Sequence, residues 1–164
     1  MDFLEMALVA ATLLCSLVAG FLFAFAVVVM PGISNLSDQD FICAFRVMDR
    51  VIQNNQPLFM LVWIGSMITL IIFTVLGISE LPRFQQVILV IATSLYLLAV
   101  QLPTLTKNIP LNNKLQSLSL EKMEANEFRI ARDEFEKRWK YWNAIRTVSA
   151  IVTSLMLIIL LSLQ

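Results

Sequence analysis

A bundle of four membrane-spanning helices is the fold this sequence predicts, and three observations predict it. The 164 residues are 59% hydrophobic and 15% charged, a membrane composition in a length suited to one domain, 1–164. The charges cluster: none falls between Glu5 and Asp38, between Arg50 and Glu80, between Arg83 and Lys107, or after Arg146. Each gap holds roughly 18 or more largely apolar residues, enough to cross a bilayer as a helix. Helices satisfy their own backbone hydrogen bonds in lipid, whereas the strands of a membrane barrel would be shorter and alternate in polarity. The class is therefore all-α.

The first span covers about 6–30. It lacks a basic leader region and a small-residue cleavage site and is too long for a signal peptide, so it is expected to stay in the mature chain. Ala7, Ala11, Cys15 and Ala19 lie on one ridge of it, with Gly20 and Ala24 beyond, and such small-residue ridges let helices approach closely. Phe21, Phe23 and Phe25 follow; they either line an aromatic pocket or face lipid or core, and lipid or core is the favoured reading. Next comes "SDQDFICAFRVMDRVI", a short amphipathic helix after span one. Ser37 is its N-cap and Asp40 can complete a capping box. Phe41, Phe45, Met48 and Ile52 form its apolar face.

Spans two and three are expected at about 57–78 and 84–106. "NIPLNN", from Asn108 to Asn113, reads as the stop of span three and a turn, its prolines stiffening the exit. "EKMEANEFRIARDEFEKRWKYWNAIRT" has no Gly or Pro and reads as a long cytoplasmic helix running, straight or kinked, into span four at about 147–163. Phe128, Ala131, Phe135, Trp139 and Trp142 trace a stripe along it. Packing explains that stripe, and an interfacial aromatic belt explains Trp139, Tyr141 and Trp142. Neither explains Asn143 and Arg146, one turn apart at the membrane boundary. A boundary arginine either belongs to a functional site or snorkels to lipid phosphate, and both readings stand.

Composition excludes a good deal. Histidine is absent, which removes His-ligated zinc, imidazole-ligated iron or haem and Ser-His nucleophilic catalysis. The two cysteines, Cys15 within a span and Cys43 outside it, are not placed for a disulfide framework. Of the twelve basic residues, Arg83 alone lies on the side of the termini, so the positive-inside rule puts both termini outside and both long loops in the cytoplasm. The polar and rigid residues gather at that cytoplasmic mouth: Gln101, Pro103, Asn108, Pro110, Asn112, Trp139, Trp142, Asn143 and Arg146.

Four stretches in order, "AGFLFAFAVVVMPG", "FRVMDRVIQNNQP", "NIPLNN" and "RWKYWNAIRT", resemble the successive motifs of the anthrone oxygenase-like family of small four-span membrane proteins. The resemblance runs over nearly the whole chain and implies the same bundle, in a bacterial inner membrane. It further implies oxidation of an anthrone-type tricyclic phenol to a quinone by O₂, with no metal, flavin or other cofactor. Such chemistry needs an apolar cavity, a proton acceptor, and donors for the developing oxyanion. Asn108, Asn112, Asn143 and Arg146 are the expected catalytic donors. Trp139, Trp142, Gln101 and Pro110 are the expected substrate-binding residues, Trp142 by stacking on a planar ring. Asp49 is the best carboxylate near the mouth, although pairing with Arg46 or Arg50 on its own helix is the favoured reading of it. The expected partners are membrane lipid, a hydrophobic small molecule and a second copy of the chain in a homo-oligomer, with no nucleic acid. The alternative is a non-catalytic membrane protein that binds a lipid, small molecule or partner protein at the same mouth. A small transporter fits less well, since spans one, two and four have no charges or breaks near the midplane.

Overall fold

The computed structural model describes residues 2–164 and is built almost entirely of helix. Four helices are long and apolar enough to cross a membrane: α1 (Phe3–Ile33), α3 (Pro57–Glu80), α4 (Arg83–Gln116) and α5 (Ala125–Ser162). The shorter α2 (Asp38–Gln53) lies between the first two. The chain is an integral membrane four-helix bundle.

Each start has a local cause. Asp2 and Glu5 form a reciprocal capping box on α1. The Ser37 hydroxyl accepts from the Asp40 N–H at 3.2 Å and donates to the Asp40 carboxylate at 2.7 Å, so half of the expected box forms. Gln56 caps α3 through the Phe59 N–H, and Pro57 occupies the first turn, where its missing N–H costs nothing. Asn55, at φ 57°, makes the tight turn between α2 and α3, a conformation asparagine tolerates.

The spanning helices outrun the expected boundaries. At 38 residues α5 is about 57 Å long, nearly twice the hydrocarbon thickness, so its first half stands outside the membrane. "NIPLNN" is not a helix stop: α4 passes through it to Gln116. The reason lies in three π-helical turns, Phe25–Val29, Tyr96–Gln101 and Thr104–Asn108, each ending one residue short of the residue before a proline. There the ladder switches to i→i−5 bonds, from Met30 N–H to Phe25 O, Leu102 N–H to Leu97 O and Ile109 N–H to Thr104 O. A wider turn relieves the clash between each proline ring and the preceding turn, so the helix continues.

The same widening aims side chains. Tyr96, Val100, Thr104, Asn108 and Asn112 recur every four residues. In a regular α-helix each such step drifts by about 40°, so the five would wind around the cylinder. The two π turns of α4 take up that drift. Tyr96, Val100, Thr104 and Asn108 are all buried.

Two cores result. Within the membrane, Ala11, Cys15 and Val18 of α1 pack with Leu70 and Phe73 of α3, Leu89 and Tyr96 of α4, and Leu157 and Leu160 of α5. The small-residue ridge of α1 is buried as its spacing suggests. Outside the membrane, Phe41, Ile42 and Phe45 of α2 pack on Phe128, Phe135 and Trp139 of α5. The buried face of α2 is thus Phe41, Ile42, Phe45 and Asp49, with Met48 only half-buried, a rotation from the expected stripe. Both cysteines are free, Cys15 buried and Cys43 half-buried.

Arg132 fastens the two parts. Its guanidinium donates to Asp38 (3.0 Å), Glu136 (2.8 Å) and the carbonyls of Ser34 (2.7 Å) and Leu36 (3.0 Å). It also covers the Phe41 ring, 4.5 Å from the centroid. The corner between α1 and α2 is therefore pinned to α5.

Candidate active site

A cavity of about 400 Å³ lies between α1, α3, α4 and α5 and is covered by α2. That is within the range of small-molecule sites. Its wall is mostly apolar, and its aromatic part is continuous. Phe21 lies 4.9 Å from Phe25 and 5.2 Å from Phe59 between ring centroids. Phe59 stacks on Trp63 at 5.4 Å, and Phe25 meets Trp139 at 5.7 Å. Phe21 and Phe25 line the cavity, as an aromatic-pocket reading of this stretch has it, and each also packs on a core. Phe23 remains exposed.

The polar residues come from α4 and α5. Along α5 the buried seam runs Phe135, Trp139, Asn143, Arg146, Ala150, Thr153, Leu157 and Leu160, at spacings of three and four. Asn143 and Arg146 therefore occupy core positions of a packed helix. Arg146 is 5% exposed, which rules out snorkelling. Its Nη2 donates to Asn143 Oδ1 at 2.8 Å and its Nη1 to Thr104 Oγ1 at 3.0 Å. The guanidinium carbon is 5.8 Å from the centre of the Trp139 ring. Asn143 Nδ2 in turn reaches the Leu22 carbonyl at 3.3 Å. Among the described residues Arg146 has no ion-pair partner.

At the outer end, Asn112 bridges Trp139 and Asp49. It accepts from Trp139 Nε1 at 2.9 Å and donates to Asp49 Oδ1 at 2.7 Å. Gln53 and Gln116 donate to Asp49 Oδ2 at 2.7 and 2.9 Å. Asp49 is buried by these three amides and pairs with neither Arg46 nor Arg50, against the favoured reading. Arg46 instead donates to the Leu118 carbonyl. Arg146 and Asp49 are the one cation and the one carboxylate on the wall.

Gln101, Asn108, Asn112, Trp139, Asn143 and Arg146 all line this cavity. Asn108 and Asn112 bond to Trp139, one turn before Asn143, rather than to Asn143 or Arg146; Asn108 Nδ2 lies 3.5 Å from the Trp139 carbonyl. Two expected residues lie elsewhere. Pro110 is exposed on the outer side of α4. Trp142 sits under the Lys107 ammonium, 5.5 Å from its ring centre, and beside Tyr141, as an interfacial belt residue would. The seam steps from Trp139 by four to Asn143, so Trp142 is turned off it. Asp49 and Thr104 were within reach of the same arithmetic: Asp49 continues the spacing Phe41, Phe45, and Thr104 the spacing back from Asn108. Phe59 and Trp63 carry no such signal.

Three of the four buried side-chain atoms without a hydrogen-bond partner belong to this wall: Gln101 Nε2, Asn108 Oδ1 and Arg146 Nε. Their orientations are set by neighbours. Gln101 turns its Oε1 to the Trp63 N–H at 3.0 Å, and Asn108 turns its amide nitrogen to the Trp139 carbonyl. Unsatisfied buried polar groups cost stability, and their concentration here makes this cavity the candidate site among the described residues.

The sequence profile of the anthrone oxygenase family matches residues 43–156, which include α3, α4 and all the polar wall. No curated protein and no solved structure matches the chain.

Proposed function

The chain belongs to the anthrone oxygenase family, and we propose that it is a membrane oxygenase that oxidises a planar phenol with O₂ in this cavity. The observation that carries this reading is the pairing of an apolar, aromatic chamber with a buried arginine and polar atoms left without partners, Gln101 Nε2 and Arg146 Nε as donors and Asn108 Oδ1 as an acceptor. The substrate ring lies between the aromatic wall and the face of Trp139, with its oxygen toward Arg146 and Asn143. The buried guanidinium favours the phenolate, and Asp49 is the carboxylate that takes the proton. The phenolate passes one electron to O₂. Superoxide and the carbon radical then combine at the ring carbon opposite the oxygen, and the peroxide anion takes the proton back from Asp49. Loss of water from the resulting hydroperoxide leaves the quinone, so one oxygen atom enters the product and the other leaves as water. Neither metal nor flavin takes part in this scheme.

Eleven of the twelve basic residues lie on the side of the two long connections, which supports a topology with those connections and the cavity mouth on the cytoplasmic side and both termini outside.

Oxygen uptake by the purified protein given a simple anthrone tests the reading, beside Asn108→Ala and Arg146→Ala. Uptake above the spontaneous rate, lost in both folded variants, is expected. Equal uptake in all three would overturn the site. Binding of the anthrone with no uptake would replace the oxygenase by the binding protein that is its alternative.

A further inference from the structure

The cavity has two ways out, and the structure treats them differently. At the mouth, α2 is stitched across the end of α4. Asp49 bonds to Asn112 and Gln116, Gln53 bonds to Asn113 at 3.2 Å, and Gln116 also donates to the Arg46 carbonyl at 2.9 Å. On the flank between α3 and α4 the fastening stops partway. Thr74 bonds to Thr93 at 2.7 Å, Ser66 to Tyr96 at 2.6 Å and Trp63 to Gln101 at 3.0 Å, three rungs climbing from the turn that joins the two helices. Beyond Gln101 no side-chain hydrogen bond joins α4 to α3 among the described residues. There α4 packs on α5 and α2, while α3 packs on α1.

The helices therefore splay, and the cavity wall runs out through the gap. Met60, Ile64 and Met67 line its α3 side, and Leu105 and Ile109 its α4 side. None is charged. Ile64 (41% exposed), Leu105 (63%) and Ile109 (40%) reach the outer surface of the bundle while also lining the cavity. Ile64 and Leu105 lie in apolar runs of the membrane-crossing helices, so the surface they reach is lipid-facing.

We infer that this gap is a lateral portal and that the ligand is a bilayer-dissolved phenol that enters through it from the membrane. The inference rests on the proposed function for the phenol and deepens it. A water-borne ligand would have to pass the polar end of the gap, lined by Gln53, Asn55 and Asn113, where Gln53 and Asn113 are joined by a hydrogen bond. A molecule already in the hydrocarbon crosses only apolar side chains, two of them flexible methionines that repack at little cost. An alkyl tail on such a phenol can stay in lipid, through the portal, while the ring sits against Trp139.

The test is photolabelling of the full chain in lipid nanodiscs by an alkyl phenol bearing a diazirine at the end of its chain. Labels are mapped by peptide sequencing, and oxygen uptake is followed separately. Labels at 60–67 and 105–109, lost in Leu105→Trp and Ile64→Trp but kept in Val75→Trp, are expected. Val75 is exposed to lipid on α3 and does not line the cavity. Labels around α2 and Asn113, unaffected by the two portal variants, would overturn the portal and leave the oxygenase standing. Portal labelling without oxygen uptake would uphold the portal and remove the oxygenase.

Discussion

Two arginines of α5 lie in very different states, and replacing each with methionine should separate function from folding. Arg132 has donors to four oxygens and an aromatic ring beneath it. Arg146 has two partners, no carboxylate, and an Nε without any. Burying a guanidinium costs several kcal/mol after relaxation, about 5 kcal/mol for the present purpose. Its two charge-assisted hydrogen bonds return about 4 kcal/mol together. Arg146→Met removes both terms and leaves Asn143 Oδ1 unpaired, at about 1–2 kcal/mol. Thr104 keeps its bond to the Val100 carbonyl at 2.7 Å, so its hydroxyl is not stranded. Methionine fills a similar volume in an apolar setting. The balance is a change within about 2 kcal/mol in either direction. Turnover should nevertheless fall about 10²–10³-fold, the usual cost of removing an oxyanion donor. Reversible unfolding in mixed detergent micelles gives the first quantity and oxygen uptake per folded molecule the second. A loss of more than about 3 kcal/mol with normal turnover in the folded fraction would refute the reasoning, because Arg146 would then be structural.

The other expectations are simpler. Arg132→Met should cost about 1–2 kcal/mol, because the largely covered Glu136 loses its guanidinium donor and α2 is unpinned, while the more exposed Asp38 is rehydrated; the same unfolding assay measures it, and protease should cut the 34–37 corner faster. Asp49→Asn keeps the size of the side chain but removes the one carboxylate on the wall, so turnover should drop about 10²-fold or more with anthrone binding retained, as fluorescence of the cavity tryptophans would report. Gly77→Ala places a Cβ 2.7 Å from Leu89 Cδ2 and 2.9 Å from Leu81 Cδ1, where α3 and α4 meet at their turn. It should destabilise by about 1–3 kcal/mol without touching turnover, since the site lies at the other end of the bundle.

Much of this molecule is legible in its sequence, for definite reasons. Charge-free runs must be helices in lipid, so the four spans and the amphipathic α2 follow from spacing alone. The sequence singles out Asn143 and Arg146 as polar residues at the membrane boundary, but the stripe it suggests on α5 runs through Trp142, and only the packed helix shows that the buried seam steps from Trp139 to Asn143 and Arg146. Prolines were the obstacle. A proline normally ends a helix, and no local rule tells that Leu102 and Ile109 sit at the exits of wide turns that spare it. The prolines therefore predict a helix end near Thr106, whereas the helix runs to Gln116 and carries Pro110 to its exposed side. Asp49 illustrates a second limit. Its charged neighbours Arg46 and Arg50 are nearer in sequence than Asn112 and Gln116, which only the fold of α4 brings to it. The aromatic partners Phe59 and Trp63 belong to a helix whose hydrophobicity is nearly uniform, so nothing in its pattern singles out the inward side.

The wide turns of α4 also bear on how such a chain can vary. A π turn is, in effect, one surplus residue stored inside a helix. Deleting a residue between Thr104 and Asn108 would let that turn relax to α-helical spacing without interrupting the rod. Because the wide turn already takes up about 40° of the 100° that one residue represents, everything on one side of it would swing by about 60° relative to the other. The Asn112 end, with its grip on α2, would then lose its alignment with the Gln101 end, while the bundle stayed assembled. The chain thus carries a dial that resets which side chains look into the chamber while the membrane-crossing rods stay continuous, at the cost of the bonds that tie Asn112 and Gln116 to α2. Length differences among related chains should collect at 96–108 more often than elsewhere in the spans.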